Sequence, residues 1–324
     1  MNALVSVIVP TYNRAQIVVR ALDSVLEQTW RPIELIVVND GSPDDTAQVL
    51  EAAQSRSIAA GVAPRFISKP NGGAASARNA GLRAATGEYI AFLDDDDLWR
   101  PQKLERQLAA MRDSGADACC CFVSRHGGRH KRSPASEEAL LRGRDAARFV
   151  SRAAYAHITS IVFKAALCKA VGEFDESLRV YEDEEWKARL VHEASFAAVP
   201  EELATYTFSE QSLTRFTGAE AAEKRDRDFM RHLNLIRERC HSRAGWSEQA
   251  WKERAAHVYD ECAKHLLYRG ELKGAQSLYE QAISLCGPIM ALPKLKTKLR
   301  KAWWMSWLGL RPRHPKLKTG EERG

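Results

Sequence analysis

The chain has 324 residues, 45% hydrophobic and 28% charged, with a formal net charge of +6 at neutral pH. That length and composition predict a soluble globular protein with one large domain and an appendage, and no apolar run approaches the roughly 18 residues a membrane span needs. The seven cysteines are odd in number, with Cys119, Cys120 and Cys121 contiguous, which excludes a disulfide framework and a C-x-x-C zinc pair and fits a reducing compartment.

In chain order, Leu4 to Pro10 predicts a buried strand, too short for a signal-peptide core, that ends in the turn Thr11-Tyr12-Asn13-Arg14. Ile17, Val18, Ala21, Leu22, Val25 and Leu26 then fall on one helical face. Ile33 to Val38 is a second strand, closed by Asn39-Asp40-Gly41-Ser42 and followed by a helix toward Ala60. Arg65 to Ser68 is a short third strand. Asn71-Gly72-Gly73 launches an Ala-rich helix, Ala74 to Ala85, which Thr86-Gly87 stops.

Glu88 to Leu93 is a further strand that ends abruptly in Asp94, Asp95, Asp96 and Asp97. Four adjacent carboxylates repel one another and are costly inside a protein unless a cation or donors meet them. Hard divalent cations take carboxylate oxygens. The alternative is a solvated acidic turn ahead of a helix that starts near Pro101. Strands alternating with helices predict a doubly wound, mostly parallel α/β sheet, in which ligands bind beyond the C-terminal strand ends. Thr11 to Arg14, Asn39 to Ser42 and Asp94 to Asp97 all fall at such ends, which favours the metal site. The first turn has neither a G-x-G-x-x-G nor a Walker pattern.

Downstream, Ala116 to Val123 predicts another buried strand. Arg125 to Arg144 predicts a basic loop, either a solvated face or a contact for an anionic acceptor. Ala255 to Ile283 predicts an αα-hairpin broken at Arg269-Gly270. The expected division is 1–218 as the main domain, 219–290 as a helical appendage and 291–324 as a basic tail. In that tail Leu292, Leu295, Leu299, Trp303, Trp307 and Leu310 lie near one helical face, with Lys294, Lys296, Lys298, Arg300, Lys301, Arg311, Arg313, Lys316 and Lys318 around them. Such a helix suits an anionic membrane surface over 291–318. It also suits packing on its own domain. Nucleic acid is not expected as a partner, because no nucleic-acid fold motif accompanies the charge.

Taken together, Ser6 to Arg14, Val38 to Ser42, Asn71 to Gly81, Phe92 to Asp97, Val171 to Glu176 and Tyr181 to Trp186 resemble, in order, the inverting glycosyltransferases of family 2, which have the GT-A fold. The resemblance covers about residues 4–217. It implies that Pro10, Thr11 and Tyr12 line a base pocket, with Tyr12 stacking on a pyrimidine. Asp40 would accept from the base, or else serve as a turn residue before Gly41. Arg14 and Arg78 would contact the donor. Asp94 and Asp96 would form the D-x-D pair that holds Mn2+ or Mg2+, with Asp94 and the spacer Asp95 facing the donor and Asp97 capping the next helix. Asp183 would be the general base, although Glu182, Glu184 and Glu185 surround it. His157 to Phe163 resembles the family's acceptor-side strand. Ser209 stands where the family often has a histidine, with Arg215 as a substitute. The implied partners are a nucleotide-sugar donor, most simply a UDP-sugar, and a hydroxyl on a glycan or lipid-linked acceptor. The expected location is cytoplasmic, peripheral at the inner face of the membrane. The alternative is a non-catalytic nucleotide-sugar-binding protein on the same fold.

Overall fold

A computed structural model of the chain describes residues 2–126, 132–207, 219–287 and 292–308. The first half alternates strand and helix: β1 (Val5–Thr11), α1 (Ala15–Leu26), β2 (Ile33–Asn39), α2 (Thr46–Ala59), β3 (Val62–Ser68), α3 (Ala74–Ala84) and β4 (Tyr89–Phe92). After the acidic turn come β5 (Leu98–Trp99), α4 (Lys103–Ser114), β6 (Ala118–His126), α5 (Ala146–Val150), β7 (Val162–Lys164), α6 (Cys168–Val171), α7 (Glu182–Glu193) and β8 (Phe196–Thr207). The C-terminal helices are α8 (Ala219–Cys240), α9 (Glu248–Arg269), α10 (Leu272–Cys286) and α11 (Leu292–Trp307).

The eight strands form one sheet in the order β3-β2-β1-β4-β7-β6-β8-β5. Among the described residues, four of the seven neighbouring pairs are parallel and three, β4–β7, β7–β6 and β8–β5, are antiparallel. The sheet is therefore mostly parallel, as expected, with the antiparallel pairs confined to its second half. The acceptor-side strand expected over His157 to Phe163 is a 3-10 turn, Ile158–Ser160, that leads into β7. Local bonds cause it: the Thr159 N–H donates to His157 Nδ1 at 3.4 Å, and the Ser160 hydroxyl donates to the His157 carbonyl at 2.7 Å. These bonds satisfy the backbone without a ladder.

All seven residues of β1 and of β2 are buried, as strands covered on both faces must be. Alternation divides them. Val5, Val7, Val9, Leu35 and Val37 join one core with Val18, Leu22, Leu50 and Leu104 of α1, α2 and α4. Ile8, Ile36, Val38, Ile90 and Phe92 join the other with α3, α5 and α7. Phe229, Leu233, Ile236, Trp251 and Ala255 of α8 and α9 lie in this second core too. A third core holds Ala263, Leu267, Ala275, Ala282, Leu292, Leu295 and Leu299 of α9, α10 and α11. At Gly81 a Cβ would lie 2.3 Å from Ile8 Cγ2, so only glycine lets α3 sit this close to β1. That approach places the N-terminal half of α3, with Arg78, at the C-terminal ends of the strands.

Candidate active site at the C-terminal strand ends

The chain runs from β1 outward to β2 and β3, then returns to β4 on the other side of β1. This reversal opens a crevice at the C-terminal ends of β1 and β4. Pro10 and Thr11 line it as the last residues of β1, opposite Val38 and Asn39. Pro10 lies past the end of the β1–β4 pairing, which stops at Ile8–Phe92, so the missing N–H of proline leaves no gap in that ladder. Tyr12 is 47% exposed, an open aromatic ring at the mouth. Asn13 is left-handed at φ +55°, and its N–H donates to Ser42 Oγ at 2.9 Å, locking the first loop to the second.

Asp40 is 2% exposed and its carboxylate is already engaged. It accepts from Lys69 Nζ at 2.6 Å, from the Gly72 N–H at 3.0 and 3.1 Å, and from the Gly73 N–H at 2.7 Å. Those contacts fill the four acceptor sites of a carboxylate. In this structure Asp40 organises the Asn71–Gly73 loop. Gly41, at φ +73°, would bring a Cβ within 2.8 Å of the Asn71 nitrogen, so a side chain there would push the two loops apart.

Asp94 to Asp97 form a tight turn, with the Asp97 N–H donating to the Asp94 carbonyl at 3.0 Å. Two arginines meet it. Arg14 bonds Asp95 at 3.0 Å and also bonds Asp96. Arg78 donates to Asp94 Oδ1 at 2.7 Å and to Glu182 Oε1 at 2.7 Å. Burial pushes the Asp95 carboxyl up to about 7 against the pull of Arg14, and it raises Asp96 as well. Burial and the neighbouring Asp94 and Asp96 hold Asp97 well above the ordinary carboxylate range. Asp94 differs: burial pushes it up, but Arg78, His157 and Arg14 together hold it below its ordinary value. Asp97 does not cap α4, whose first residue is Lys103. It accepts the Thr207 N–H at 3.2 Å, so it anchors the end of β8, and its Oδ2 has no hydrogen-bond partner among the described residues, with His157 Nδ1 3.9 Å away.

Four carboxylates facing two guanidiniums leave the turn short of positive charge. An all-oxygen carboxylate set suits Mg2+ or Mn2+. Among the described residues, no cluster of three or more His, Cys, Asp or Glu side chains is arranged around a common point. The mode that fits is one or two carboxylates completed by substrate phosphate oxygens.

The first turn of α7 carries Glu182, Asp183, Glu184 and Glu185, where the helix dipole favours acids. The structure separates these four. Glu182 is bonded to Arg78, Glu184 to Lys187 and Arg254, and Glu185 to Arg189 and Arg239. Asp183 has Lys187 Nζ at 3.0 Å and, among the described residues, no arginine ion pair, and its side chain is 26% exposed against 10%, 19% and 0% for Glu182, Glu184 and Glu185. Behind them Phe92, Phe163, Phe174 and Trp186 form a contiguous ring cluster, with Phe174 and Trp186 stacked at 4.7 Å and Phe92 edge-on to Trp186 at 5.6 Å. This cluster fixes the end of β4 against the start of α7.

The crevice thus brings together the first loop, Asp40, the acidic turn, Arg78 and the start of α7. Sequence reasoning missed Lys69, Glu182 as the partner of Arg78, Lys187 and Arg254. Only Glu182 had a signal, its place beside Asp183. Ser209, Arg215 and the basic residues from Arg311 onward lie outside the described residues. A small cavity beside Asp95 and Asp96 is lined by Ile17, Arg20, Leu98 and Thr207. A larger cavity of about 440 Å3 lies among α8, α9 and α10, near Asp226, Met230 and Leu266. Convergent chemistry, rather than cavity size, locates the site.

Comparison with known proteins agrees with this geometry. Residues 6–172, just over half of the chain, match Glycosyl transferase family 2. An uncharacterized glycosyltransferase of Rickettsia bellii is 42% identical over 113 residues, which is 35% of this chain but only 16% of that protein. Among solved structures, S. aureus TarS 1-349 covers 97% of this chain and 94% of its own, with a TM-score of 0.66 and 19% identity; a structure of it in complex with UDP-GlcNAc has a TM-score of 0.58. Mannosyltransferase PcManGT from Pyrobaculum calidifontis, in complex with GDP-Man and Mn2+, has a TM-score of 0.59 at 20% identity, covering 96% of this chain and 84% of its own. The chain belongs to glycosyl transferase family 2, on a GT-A fold.

Proposed function

We propose that this family 2 member is an inverting glycosyltransferase that moves a sugar from a nucleoside diphosphate donor, most simply a UDP-sugar, to a hydroxyl of a glycan or lipid-linked acceptor. One observation carries the reading. Arg78 ties the acidic turn to the start of α7, and beside it Asp183 is the most exposed carboxylate of the first turn and, among the described residues, the only one of the four with no arginine ion pair. A base must reach its proton, and a carboxylate saturated by arginine is a poor acceptor.

In this reading Tyr12 stacks on the base, with Pro10 and Thr11 forming the floor of its pocket. Asp40 shapes that pocket by holding the Asn71–Gly73 loop. Arg14, Asp94 and Asp95 face the donor. Asp94 and Asp96 would hold Mn2+ or Mg2+, which supplies positive charge to the diphosphate as it leaves. Arg78 fixes Asp94 and Glu182, and through them the spacing between donor and base. Asp183 takes the proton from the acceptor hydroxyl. The acceptor oxygen bonds the anomeric carbon on the face opposite the diphosphate, and the bond from that carbon to the phosphate oxygen breaks. The configuration inverts and the nucleoside diphosphate leaves. The likeness to proteins solved with UDP-GlcNAc and with GDP-Man and Mn2+ supports the donor class and the cation.

The test is a panel of UDP- and GDP-sugars, with and without Mn2+, read by mass spectrometry for transfer and for donor hydrolysis. Turnover that depends on Mn2+ is expected. UDP binding without turnover across the panel would instead identify a non-catalytic binding protein.

We also propose that α11 attaches the protein to an anionic membrane. No helix among the described residues is long and apolar enough to cross a membrane. The sequence put leucines and tryptophans near one face, but the structure separates them. Leu292, Leu295, Leu299 and Ala302 are buried against α9 and α10, while Trp303, Trp304, Trp307 and Leu308 are 60%, 59%, 74% and 62% exposed. Lys294, Lys296, Lys298, Arg300 and Lys301 are exposed around them. Replacing Trp303, Trp304 and Trp307 with Ser should weaken binding to phosphatidylglycerol vesicles by about tenfold or more, with the melting temperature unchanged. Failure of the unaltered protein to sediment with such vesicles would rule the attachment out. Deleting the helix is the poorer experiment, because it uncovers the leucine-lined core.

A further inference from the structure

The helix that carries Asp183 is held from outside the sheet by α8 and α9. Tyr181, just before it, is left-handed at φ +65°, a costly conformation for a residue with a side chain. Its ring stacks on Phe229 and His232 of α8, with centroids 4.5 and 5.0 Å away. Three residues on, Glu184 accepts from Arg254 Nη2 of α9 at 2.6 Å and from Lys187 Nζ at 2.8 Å. Lys187 is fully buried, and its Nζ also lies 3.0 Å from Asp183 Oδ2 and donates to the Ala156 carbonyl at 3.1 Å. One ammonium is therefore shared between two carboxylates. Its division between them depends on what else neutralises Glu184. Arg254 is 1% exposed and lies over the Phe149 ring, and its Nε and Nη1 are buried without hydrogen-bond partners among the described residues, so its bond to Glu184 is the polar anchor of the guanidinium.

We propose that Arg254, from the C-terminal helices, is a positioning residue for sugar transfer: by neutralising Glu184 it leaves Lys187 free to hold and orient Asp183. This rests on the reading of Asp183 as the base. Arg254 also attracts Asp183 directly, and the other groups that face Asp183 are Glu182 on its own helix, Arg78 from α3, and Tyr155 and His157 from the segment between α5 and β7. Exposed Arg152 faces Glu184. Burial raises Tyr155 to about 12 and lowers His157, so Tyr155 stays neutral across the acid limb while His157 takes its proton within it.

The experiment follows release of the nucleoside diphosphate from whichever UDP- or GDP-sugar is turned over in the donor panel, as a function of pH. In Arg254→Leu, Glu184 draws Lys187 away from Asp183. The acid limb of kcat/KM should then move up by about one pH unit, with donor KM held within about twofold. Arg254→Lys should recover most of the wild-type profile. Glu184→Gln releases Lys187 to Asp183, so its acid limb should move down. Arg254→Leu combined with Glu184→Gln should resemble Glu184→Gln rather than Arg254→Leu. Opposite movements of this kind do not arise from general loosening of the fold. Acid limbs that stay put in both single variants overturn the proposal, as does a double variant that behaves like Arg254→Leu. If Arg254→Leu shows no cooperative melting transition, Glu184→Gln decides alone: a downward move supports the proposal, and an unmoved or upward limb overturns it. Asp183→Asn, assayed alongside, separates the two readings. Activity in that variant removes both; an inactive Asp183→Asn with unmoved limbs removes only the role of Arg254.

Discussion

Asp183→Asn should lose about a thousandfold in sugar transfer while UDP affinity stays within about threefold. The substitution keeps the shape of the side chain and removes its ability to take a proton. It should fold, because Asp183 is 26% exposed and its one ionic partner, Lys187, keeps Glu184 and the Ala156 carbonyl. The donor loops are separate from it: Tyr12, Asp40 and the Asn71–Gly73 loop lie at the ends of β1 and β2 and make no bond to α7 among the described residues. Steady-state transfer measured beside UDP titration calorimetry checks the split. Normal turnover would remove Asp183 from the mechanism, and lost UDP binding would make it part of the donor site.

Arg78→Leu should cost about 3–5 kcal/mol of stability at pH 7, a fall in melting temperature on the order of 10 °C, and should abolish transfer. Arg78 is 5% exposed and its guanidinium holds Asp94 and Glu182 at 2.7 Å each, so its loss leaves buried Glu182 and partly buried Asp94 without their shared cation. Arg78→Lys should recover only part of this, because an ammonium cannot bridge the two as a planar fork does. The pH dependence has a definite sign. Arg78 does most to hold Asp94 below its unfolded value, so the stabilisation is full above about pH 4 and fades as pH falls through the folded value. The gap in melting temperature between wild type and Arg78→Leu should therefore hold from pH 7 to about pH 4 and narrow below it. A gap that is constant with pH would mean that packing on Phe174, 5.6 Å from the guanidinium carbon, matters more than the ion pairs.

Much of the fold is legible because burial on both faces writes itself into composition. Val5 to Val9 and Ile33 to Val38 can only be covered strands, and the helices between them carry apolar faces at the helical period. The acidic turn is legible for the opposite reason, since four adjacent carboxylates after an apolar run demand compensation from elsewhere. The position of β7 between β4 and β6, antiparallel to both, is not legible. Pairing direction is settled by where an irregular connection returns to the sheet. Neither is the fate of α11, where leucine and tryptophan have similar hydrophobicity and only the packing partner distinguishes a buried face from an exposed one.

The sequence by itself determined the class of chemistry: which strand ends carry polar clusters, that a carboxylate turn sits at one of them, and that a second acidic run nearly ninety residues on supplies the candidate base. Those are local properties of charge and hydrophobic period. Only the tertiary structure decided how the charges are shared. It gave Asp94 and Glu182 to one arginine, withheld an arginine ion pair from Asp183 among the described residues, and brought Arg254 from α9 onto the neighbour of Asp183. Coulomb interactions fall off with distance in space and are indifferent to distance along the chain. Which carboxylate of an acidic run remains available for a proton is therefore set when α3, α7 and α9 close on one another.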